Sequence, residues 1–277
     1  MKHEVDLSLD TLYTDLALES MKQKNIKSDS KITKRNGIVI TNIKVDKSIS
    51  KIINKKEGMY TTIEFKDITD SVNKENVIEV LTNELKKYVK LNKDDLVLVV
   101  GLGNSESTPD SLGSKCIDNI VVTNHIYELN MLDSSYHRVC ILKPSVYGKT
   151  GIETSLIIDS VSKSIKPKLI IVIDSLCSLS IDRLNTTIQI TDTGICPGSG
   201  IGNKRKKISY NTTGIPVIAI GVPTVVSLYN ILSEITNDKK VLTKKEYNLV
   251  VTPTEIDYII DCLSYVISTS INNVLRV

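Results

Sequence analysis

Two aspartates stand where apolar segments of the sequence end, and carboxyl groups in such positions can perform general acid–base chemistry. Asp110 follows the apolar stretch "DLVLVV" and a turn, and Asp174 directly ends the stretch "LIIVID". A carboxylate that continues an apolar strand enters a dry environment, where an unpaired charge is costly. Asp174 therefore needs a partner or a chemical task. Asp110 also has a simpler interpretation, because it follows a Thr-Pro pair typical of a helix start, where a negative charge favours the helix dipole.

A third aspartate and two glycine-rich turns accompany this pair. Asp192 ends the segment "TTIQITD" within a "DTG" triplet, and the turns are "GLGN" and "DTGICPGSGIGN". Pepsin-like proteases need two such aspartates sharing a proton, so a turn stabilised by Asp and Thr side chains is the better interpretation of the single triplet. Glycine-rich turns expose backbone N–H groups to a bound molecule. The residues predicted to support a site are Gly103, Asn104, Glu153, Asp192, Gly198 and Gly200.

Other kinds of site are less well matched. Glu106 stands where the third glycine of a dinucleotide fingerprint belongs, and no lysine follows as in a phosphate-binding loop. Ser199 lacks the GxSxG pattern of serine hydrolases. His125 and His137 could ligate a metal ion together with an aspartate. A lone histidine in an apolar segment is more often structural, so both interpretations remain open.

The elements that must position these residues alternate along the chain. Residues 37–45 and 58–68 have the β-branched content of an antiparallel strand pair. From about residue 74, helical patterns alternate with apolar strands, including a helix at 109–124 and another from about residue 224. Thr252 is expected to cap the last helix, with Glu255 as its capping-box partner. This alternation predicts an α/β fold with a mainly parallel sheet, and ligands of such sheets bind at the carboxyl ends of the strands.

Composition limits the class of protein. A chain of 277 residues with 41% hydrophobic content can bury a large core, and its low aromatic content means a core of Ile, Val and Leu. The net charge of +3 is spread over mixed clusters, which does not indicate nucleic-acid binding. Five cysteines without CxxC spacing fit a reducing compartment. Neither a signal peptide nor a membrane-spanning stretch is predicted, so we expect a cytoplasmic protein.

Several long motifs in order closely resemble the germination protease family, the spore endopeptidases that degrade small acid-soluble spore proteins. The resemblance runs from about residue 58 to 226, resumes at "VTPTEIDYII" and includes "YTDLALES" near the N-terminus. Ser114 and the pair Pro144-Ser145 depart from the usual family pattern in loops. The motifs that carry the resemblance are "VGLGNSESTPDSLG", "GKTGIET", "IVIDSL", "RLNTTIQITDTGICPGSGIGNKR" and "IPVIAIGVPTVV".

The resemblance implies a fold and a chemistry. The expected fold is a three-layer α/β/α arrangement similar to that of hydrogenase maturation proteases, with an N-terminal antiparallel β appendage. The expected mechanism is an atypical aspartic-type hydrolysis without a cofactor, in which Asp110 of "TPDSLG" and Asp174 of "IDSL" are the catalytic residues. The family also implies a homotetramer, located in the forespore and spore core, that acts on small acid-soluble spore proteins and not on membranes or nucleic acid.

The N-terminus gains a role through the same resemblance. Family members are made as zymogens, and their substrates are cut after Glu in a motif similar to Thr-Glu-(Ile/Phe)-Ala-x-Glu. The segment "TDLALE", Thr14 to Glu19, follows that pattern. We therefore expect self-cleavage between Asp15 and Leu16, which divides the chain into a pro-segment of residues 1–15 and one catalytic domain of residues 16–277, whose residues 16–70 form the β-rich appendage. An ordinary amphipathic N-terminal helix is the alternative.

Two other functions remain open at this point. Asp110, Asp174 and a histidine such as His125 could hold a cation in a metal-dependent peptidase of the maturation type. Alternatively, the chain could be a non-catalytic spore protein that keeps the fold without hydrolysis. Replacement of either aspartate by asparagine separates these possibilities, since a binding protein should lose little and an enzyme nearly everything.

Overall fold

The computed structural model describes residue 12 and residues 14–26, 29–198, 205–235 and 249–276. Within these residues nine strands form one sheet. The strands are β1 (Lys31–Arg35), β2 (Ile38–Val45), β3 (Gly58–Glu64), β4 (Leu96–Gly101), β5 (Arg138–Leu142), β6 (Leu169–Ser178), β7 (Thr187–Thr191), β8 (Val217–Ser227) and β9 (Val250–Val251).

Helices cover the sheet, and short 3-10 turns at Thr108–Asp110 and Ile181–Arg183 join some of the elements. The α-helices are α1 (Ala17–Gln23), α2 (Lys47–Ile53), α3 (Ser71–Tyr88), α4 (Leu112–Asp118), α5 (Asn124–Glu128), α6 (Tyr147–Thr150), α7 (Thr154–Ile165), α8 (Tyr210–Thr213), α9 (Leu228–Ile235) and α10 (Ile256–Val274).

The core of the sheet is parallel, as the sequence predicts. The strand order is β1-β2-β3-β7-β8-β6-β4-β5, with β9 beside β8, and the four strands β8, β6, β4 and β5 run parallel. The strands β4 and β6 are buried along almost their whole length, which explains their continuous apolar sequences. The strand β7 runs antiparallel to both of its neighbours, although the α/β pattern suggested a parallel strand there.

Two layers of helices enclose the sheet, so that the fold is a three-layer α/β/α sandwich. On one face α3, α4 and α10 pack against alternate residues of the strands in one large apolar cluster. On the other face α7 packs on β4 and β6, while α1 and α2 pack on β2 and β3. Alternation along β2 explains this division, because Ile38 and Ile40 face the first layer and Ile43 and Val45 face the second.

The N-terminal strands belong to the same sheet as the parallel core. The strand β3 pairs antiparallel with β2 on one side and with β7 on the other, which makes the predicted β appendage a continuation of the main sheet. The strand β1 lies at the edge of the sheet, beside β2. All five of its residues are exposed, and three are Lys or Arg, which protect an edge strand from pairing with other chains.

Several helix boundaries differ from the sequence predictions. The helix expected at 109–124 is broken into a 3-10 turn and α4, which ends at Asp118. The helix expected from residue 224 begins at Leu228, because β8 continues to Ser227. The last helix begins at Ile256 and is not capped by Thr252, whose hydroxyl donates instead to the carbonyl of Thr224 at 2.8 Å.

Candidate active site

Asp174 lies inside the sheet, where the parallel strands of the core begin to separate. It pairs in register with Gly221 of β8, while the neighbouring strand β4 ends at Gly101, opposite Ile173. The residue is only 4% exposed. One carboxylate oxygen accepts a hydrogen bond from the N–H of Ser175 at 3.0 Å. The apolar strand thus carries a carboxyl group into a nearly dry position at the carboxyl end of β4.

Asp110 ends the 3-10 turn that follows β4, and the turn is held in place by hydrogen bonds. The N–H of Asn104 donates to the Asp110 carboxylate at 2.9 Å and to its carbonyl at 3.0 Å. The Thr224 hydroxyl donates to the carbonyl of Pro109 at 2.6 Å. Gly103 has φ +93°, and a Cβ there would lie 2.0 Å from the Asp110 carbonyl oxygen. Only glycine fits this close approach, so Gly103 and Asn104 both contact Asp110.

Close packing of α4 on the sheet sets the position of Asp110 relative to Asp174. A Cβ on Gly113 would lie 2.5 Å from the carbonyl oxygens of Ile173 and Leu102. The N–H of Leu102 also donates to the carbonyl of Ile173 at 2.9 Å. Gly113, three residues after Asp110, is therefore in direct contact with Ile173, which precedes Asp174. The two carboxyl groups lie at the same edge of the sheet.

The pKa values of the two carboxyl groups are both raised. Burial raises the pKa of Asp174 well above its usual range, and the nearby charges of Asp110 and Asp15 raise it further. Burial raises the pKa of Asp110 to about 6, against the opposing effect of the Asn104 hydrogen bond. Burial and the mutual repulsion of the two charges therefore oppose the simultaneous ionisation of both carboxyl groups.

The N-terminal segment lies across this site. The N–H of Asp15 donates to the carbonyl of Cys177 at 2.9 Å, and the Asp15 carboxylate accepts from the N–H of Cys177 at 2.9 Å. The side-chain amide of Gln189 donates to the Asp15 carbonyl at 3.3 Å and accepts from the N–H of Ala17 at 2.8 Å. Leu16 is fully buried. The peptide bond between Asp15 and Leu16 is thus fixed from both sides.

A partly buried lysine contacts the same segment. The Lys55 ammonium donates to the carbonyl of Thr14 at 2.8 Å. Burial lowers the pKa of Lys55, and the negative charge of Asp15 opposes this decrease. Lys55 thus supplies a hydrogen bond and a positive charge at the residue before Asp15.

Glu19, the last residue of the segment 14–19, lies in a pocket whose hydrogen-bond donors and positive charge suit a carboxylate. Its oxygens accept from the N–H groups of Leu179 at 2.7 Å and Ser180 at 3.2 Å, and from the Thr14 hydroxyl. The Arg183 guanidinium lies 3.6 Å from the same carboxylate. Burial raises the pKa of Glu19, and these hydrogen bonds and the arginine oppose the increase. The pocket therefore matches a glutamate side chain four residues after Asp15.

Other residues predicted to support the site lie elsewhere. Asp192 ends β7, but β7 is antiparallel to β8, so Asp192 lies toward the amino ends of the parallel strands. There it is exposed and accepts from the N–H of Met59 at 2.8 Å. Glu153 contacts the next loop, accepting from the N–H of Lys206 at 3.3 Å and lying 3.9 Å from Arg205. The sequence pattern could not reveal the strand direction that separates Asp192 from Asp174.

The remaining candidates can be placed only in part. Gly198 lies in a turn after β7, and Gly200 and Ser199 fall outside the described residues. His125 is exposed in α5, and His137 directly precedes β5, at the amino end of that strand. Neither histidine lies at the carboxyl edge that carries the aspartates. No group of three His, Cys, Asp or Glu side chains among the described residues could hold a metal ion.

The Cys177 thiol beside the site is poorly suited to act as a nucleophile. Burial raises the pKa of Cys177 to about 12, so that almost no thiolate is present at neutral pH.

The described helices also include none that is long and apolar enough to cross a membrane.

Sequence reasoning missed Gln189, Lys55 and Arg183. A signal for Gln189 is present in "TTIQITD", where Thr187, Gln189 and Thr191 alternate with two isoleucines. A polar face on a strand within a doubly covered sheet indicates polar contacts on that face. No comparable pattern marks Lys55, whose contact with the Thr14 carbonyl depends on how the N-terminal segment folds back.

Comparisons with known proteins agree with the motifs. The family model described as germination protease matches residues 14–239. A germination protease from Priestia megaterium is 44% identical over 253 residues, covering 84% of this chain and 68% of that protein. One from Clostridium tetani is 38% identical over 306 residues, covering 95% of each. Among solved structures, the [NiFe] hydrogenase maturation protease HycI from Thermococcus kodakarensis KOD1 matches with a TM-score of 0.38 and 15% identity, over 68% of this chain and 97% of that one.

Proposed function

Because the chain belongs to the germination protease family, and is therefore a spore protease, we propose that it hydrolyses peptide bonds by an aspartic-type mechanism with Asp110 and Asp174. One observation carries the proposal: two carboxyl groups with raised pKa values share an edge of the sheet with the fixed peptide bond between Asp15 and Leu16. Perturbed carboxyl pairs beside a bound peptide are typical of hydrolytic sites.

The two carboxyl groups have different roles in this proposal. Asp110, with a pKa of about 6, is mostly ionised at neutral pH and removes a proton from the attacking water. Asp174, which is more deeply buried, keeps its proton and donates it to the nitrogen of the leaving amine. Because the charges interact, the pair titrates as a unit, and ionisation of one carboxyl group opposes ionisation of the other.

The proposal includes self-processing of the chain between Asp15 and Leu16. Contacts from Cys177 and Gln189 to this segment support it, because they hold the backbone in the way that a protease holds a substrate. On this basis residues 1–15 are the pro-segment, and the chain from Leu16 onward is the catalytic unit. The influence of Asp15 on the pKa of Asp174 also supports a short distance between the bond and the acid.

Small acid-soluble spore proteins are the proposed substrates, in the forespore and spore core. The resemblance implies cleavage after Glu in a motif with a second Glu four residues later. The pocket of Arg183, Leu179 and Ser180 around Glu19 supports this spacing, since a substrate glutamate could occupy the same place. The N–H of Cys177 and the nearby Lys55 favour an acidic residue before the cut bond.

A homotetramer is proposed from the family resemblance. Exposed apolar residues at β9 support assembly. In the described part of the chain, the exposed fractions of Leu249, Val250 and Val251 are 53%, 47% and 39%. Sedimentation analysis tests this assembly, and a species of four times the 30.7 kDa chain mass is expected.

The deciding experiment compares the wild-type chain with Asp110→Asn and Asp174→Asn. Purified chains are incubated, and intact-mass spectrometry follows the appearance of a chain that begins at Leu16. A peptide containing Thr-Glu-Ile-Ala-Ser-Glu tests cleavage of a separate substrate. We expect both substitutions to reduce either reaction by at least about 10³-fold, since each removes one half of the acid–base pair.

Asp118→Asn serves as the matched control, because Asp118 is an exposed residue of α4 that pairs with Lys143 at the surface. Its rate should equal that of the wild-type chain. Cleavage that persists in both site variants would refute the acid–base proposal. Loss of activity on adding a chelator, with recovery on adding metal, would instead favour the metal-dependent alternative. Peptide binding without cleavage by the wild-type chain would favour a non-catalytic protein.

A further inference from the structure

Gln189 is the side chain that spans the bond proposed to break. Its Nε2 donates to the carbonyl oxygen of Asp15 at 3.3 Å, and its Oε1 accepts from the N–H of Ala17 at 2.8 Å. The first of these groups belongs to the residue before the bond, and the second lies one residue beyond Leu16. Gln189 is only 6% exposed, so its amide is held in a nearly dry environment.

The sheet register places this amide opposite Asp174. Gly221 of β8 pairs with Asp174 of β6 on one side and with Gln189 of β7 on the other. Residues in one row across a sheet point to the same face, and two strand spacings separate these residues by about 10 Å. The Gln189 amide, which contacts the Asp15 carbonyl, therefore projects from the same face of the sheet as Asp174.

Hydrolysis of an amide requires a group that stabilises the negative charge formed on the carbonyl oxygen. We propose that the side-chain amide of Gln189 is a catalytic residue that donates to this oxyanion during cleavage after Asp15. This inference rests on the proposed function and extends it to a residue outside the pair of aspartates. The same contact would be made to the carbonyl of the residue before the cut bond in other substrates.

The present distance fits a group that acts in the transition state. An N–H···O distance of 3.3 Å is longer than the 2.7–3.2 Å of most protein hydrogen bonds. As the carbonyl oxygen gains negative charge, a charge-assisted hydrogen bond becomes shorter and stronger. An interaction that strengthens in this way lowers the barrier, whereas one equally strong in the ground state would not.

Three other donors in this part of the described structure are engaged elsewhere. The N–H of Asn104, a residue that the sequence suggested as support for a site, bonds to Asp110. The N–H of Cys177 bonds to the Asp15 side chain, and the Lys55 ammonium bonds to the carbonyl of Thr14. The amide of Gln189 points at the carbonyl that would react.

The step balances with the groups present and one water. Water adds to the carbonyl carbon of Asp15 while Asp110 takes one water proton, and the carbonyl electron pair moves to oxygen, where Gln189 donates. The tetrahedral intermediate then re-forms its C=O bond and breaks the C–N bond. Asp174 gives its proton to the Leu16 nitrogen, so the products are a carboxyl group on Asp15 and a free amine on Leu16. Transfer of a proton from Asp110 to Asp174 restores the starting state.

The test measures the first-order rate of self-processing in the full chain for Gln189→Glu and Gln189→Met. The glutamate keeps an oxygen that can accept from Ala17 but has no N–H to donate, and the methionine has a similar length without either group. Loss of one oxyanion donor reduces catalysis by about 10²- to 10³-fold. We expect both variants to process more slowly by about that factor while their circular dichroism and cooperative thermal unfolding match the wild type.

Thr187→Val is the matched control, because Thr187 lies on the same face of β7 and its hydroxyl has no hydrogen-bond partner among the described residues. Its rate should be unchanged. Folded Gln189 variants that process within about threefold of the wild type would overturn the inference, given the larger effect of a lost donor. Failure of both variants to fold would also overturn it, since Gln189 would then hold the fold together instead of acting on the oxyanion.

Asp110→Asn and Asp174→Asn in the same assay separate the two proposals. If these variants are inactive and the Gln189 variants process normally, only the inference about Gln189 fails. If the aspartate variants process normally, the proposed function fails, and the inference fails with it.

Discussion

Asp110 and Asp174 are the same residue type in unequal surroundings. Asp174 is buried within a strand and faces the charges of two other aspartates, whereas Asp110 sits in a turn and accepts a hydrogen bond that favours its ionised form. Burial raises both pKa values, but by different amounts. In the proposed mechanism this difference in environment assigns the role of acid to one carboxyl group and the role of base to the other.

This difference predicts a bell-shaped pH dependence of self-processing. The rate should rise as pH increases through about 6, where Asp110 becomes ionised. It should fall at higher pH, where Asp174 loses the proton that it must donate. First-order rates measured between pH 4 and 9 on the purified chain check this. A rate that only rises with pH would contradict the role of Asp174 as the acid.

Asp174 should also make the fold less stable as pH rises. Its pKa is raised in the folded state, so it contributes stability below the unfolded value of 3.8, and that stability is lost as pH rises through the folded pKa. Asp174→Asn removes this titration. We compare the free energy of unfolding of the variant with that of the wild type at each pH. The variant should be more stable relative to the wild type at pH 8 than at pH 4, by on the order of 1 kcal/mol or more.

Urea unfolding at the two pH values measures this difference. Asp118→Asn is the control, because Asp118 is exposed and paired at the surface. An equal difference between Asp174→Asn and the wild type at both pH values would contradict the raised pKa of Asp174.

At the scale of elements, the contact of α4 with the sheet decides where Asp110 lies. Gly113 brings the helix against the carbonyl groups of β6 and of the residue after β4, within a distance that excludes any side chain. The turn with Asp110 immediately precedes this helix and is tied to β8 through the Thr224 hydroxyl. Three parallel strands and one helix thus cooperate in placing a single carboxyl group.

Gly113→Ala should separate α4 from the sheet. The new Cβ would lie 2.5 Å from two backbone oxygens, which cannot move independently. Overpacking of this kind costs about 1–3 kcal/mol, and we expect the processing rate to fall by at least about tenfold as Asp110 shifts. Denaturant unfolding and the processing assay measure the two effects.

Gly148→Ala is the matched control for that substitution. Gly148 lies in α6 with open space around its Cα, and alanine favours a helix over glycine by up to about 1 kcal/mol. This variant should be as stable as the wild type or slightly more stable. A Gly113→Ala chain that behaves in the same way would contradict the close packing of α4.

At the scale of the whole molecule, the N-terminal segment is fixed to the catalytic sheet by the ion pairs of Arg183. This side chain, 10% exposed, lies 3.6 Å from Glu19 and 2.9 Å from Glu64 of β3. The arginine therefore connects the segment that carries the Asp15–Leu16 bond to the N-terminal half of the sheet. Correct presentation of that bond depends on strands distant from it in sequence.

Arg183→Met should release the segment and slow self-processing. Removing one partner of a buried ion pair costs about 3–5 kcal/mol, because the remaining carboxylate is left without its counter-charge. We expect faster hydrogen exchange at Asp15 and Ala17 and at least about tenfold slower processing. Arg35→Met is the control, since its ion pair with Glu79 is exposed and worth at most about 1 kcal/mol. Unchanged exchange in Arg183→Met would contradict this role.

The sequence alone was sufficient to predict the class of fold and to single out the two carboxyl groups of the proposed site. Continuous apolar runs such as those of β4 and β6 are typical of buried strands. An aspartate that ends such a run is conspicuous, because an unpaired charge in a buried strand is costly. The close approach at Gly103 was likewise visible as a glycine turn. These features depend on local composition, so the order of residues along the chain is sufficient to predict them.

Only the tertiary structure decided which distant residues meet. The antiparallel direction of β7 removes Asp192 from the aspartate pair and brings Gln189 into the same row as Asp174. The folding back of residues 14–19 brings the Thr14 carbonyl to Lys55 and places Glu19 in its pocket. Strand direction and long-range docking depend on free energy summed over many contacts between remote parts of the chain, and no local pattern of residue types records that sum.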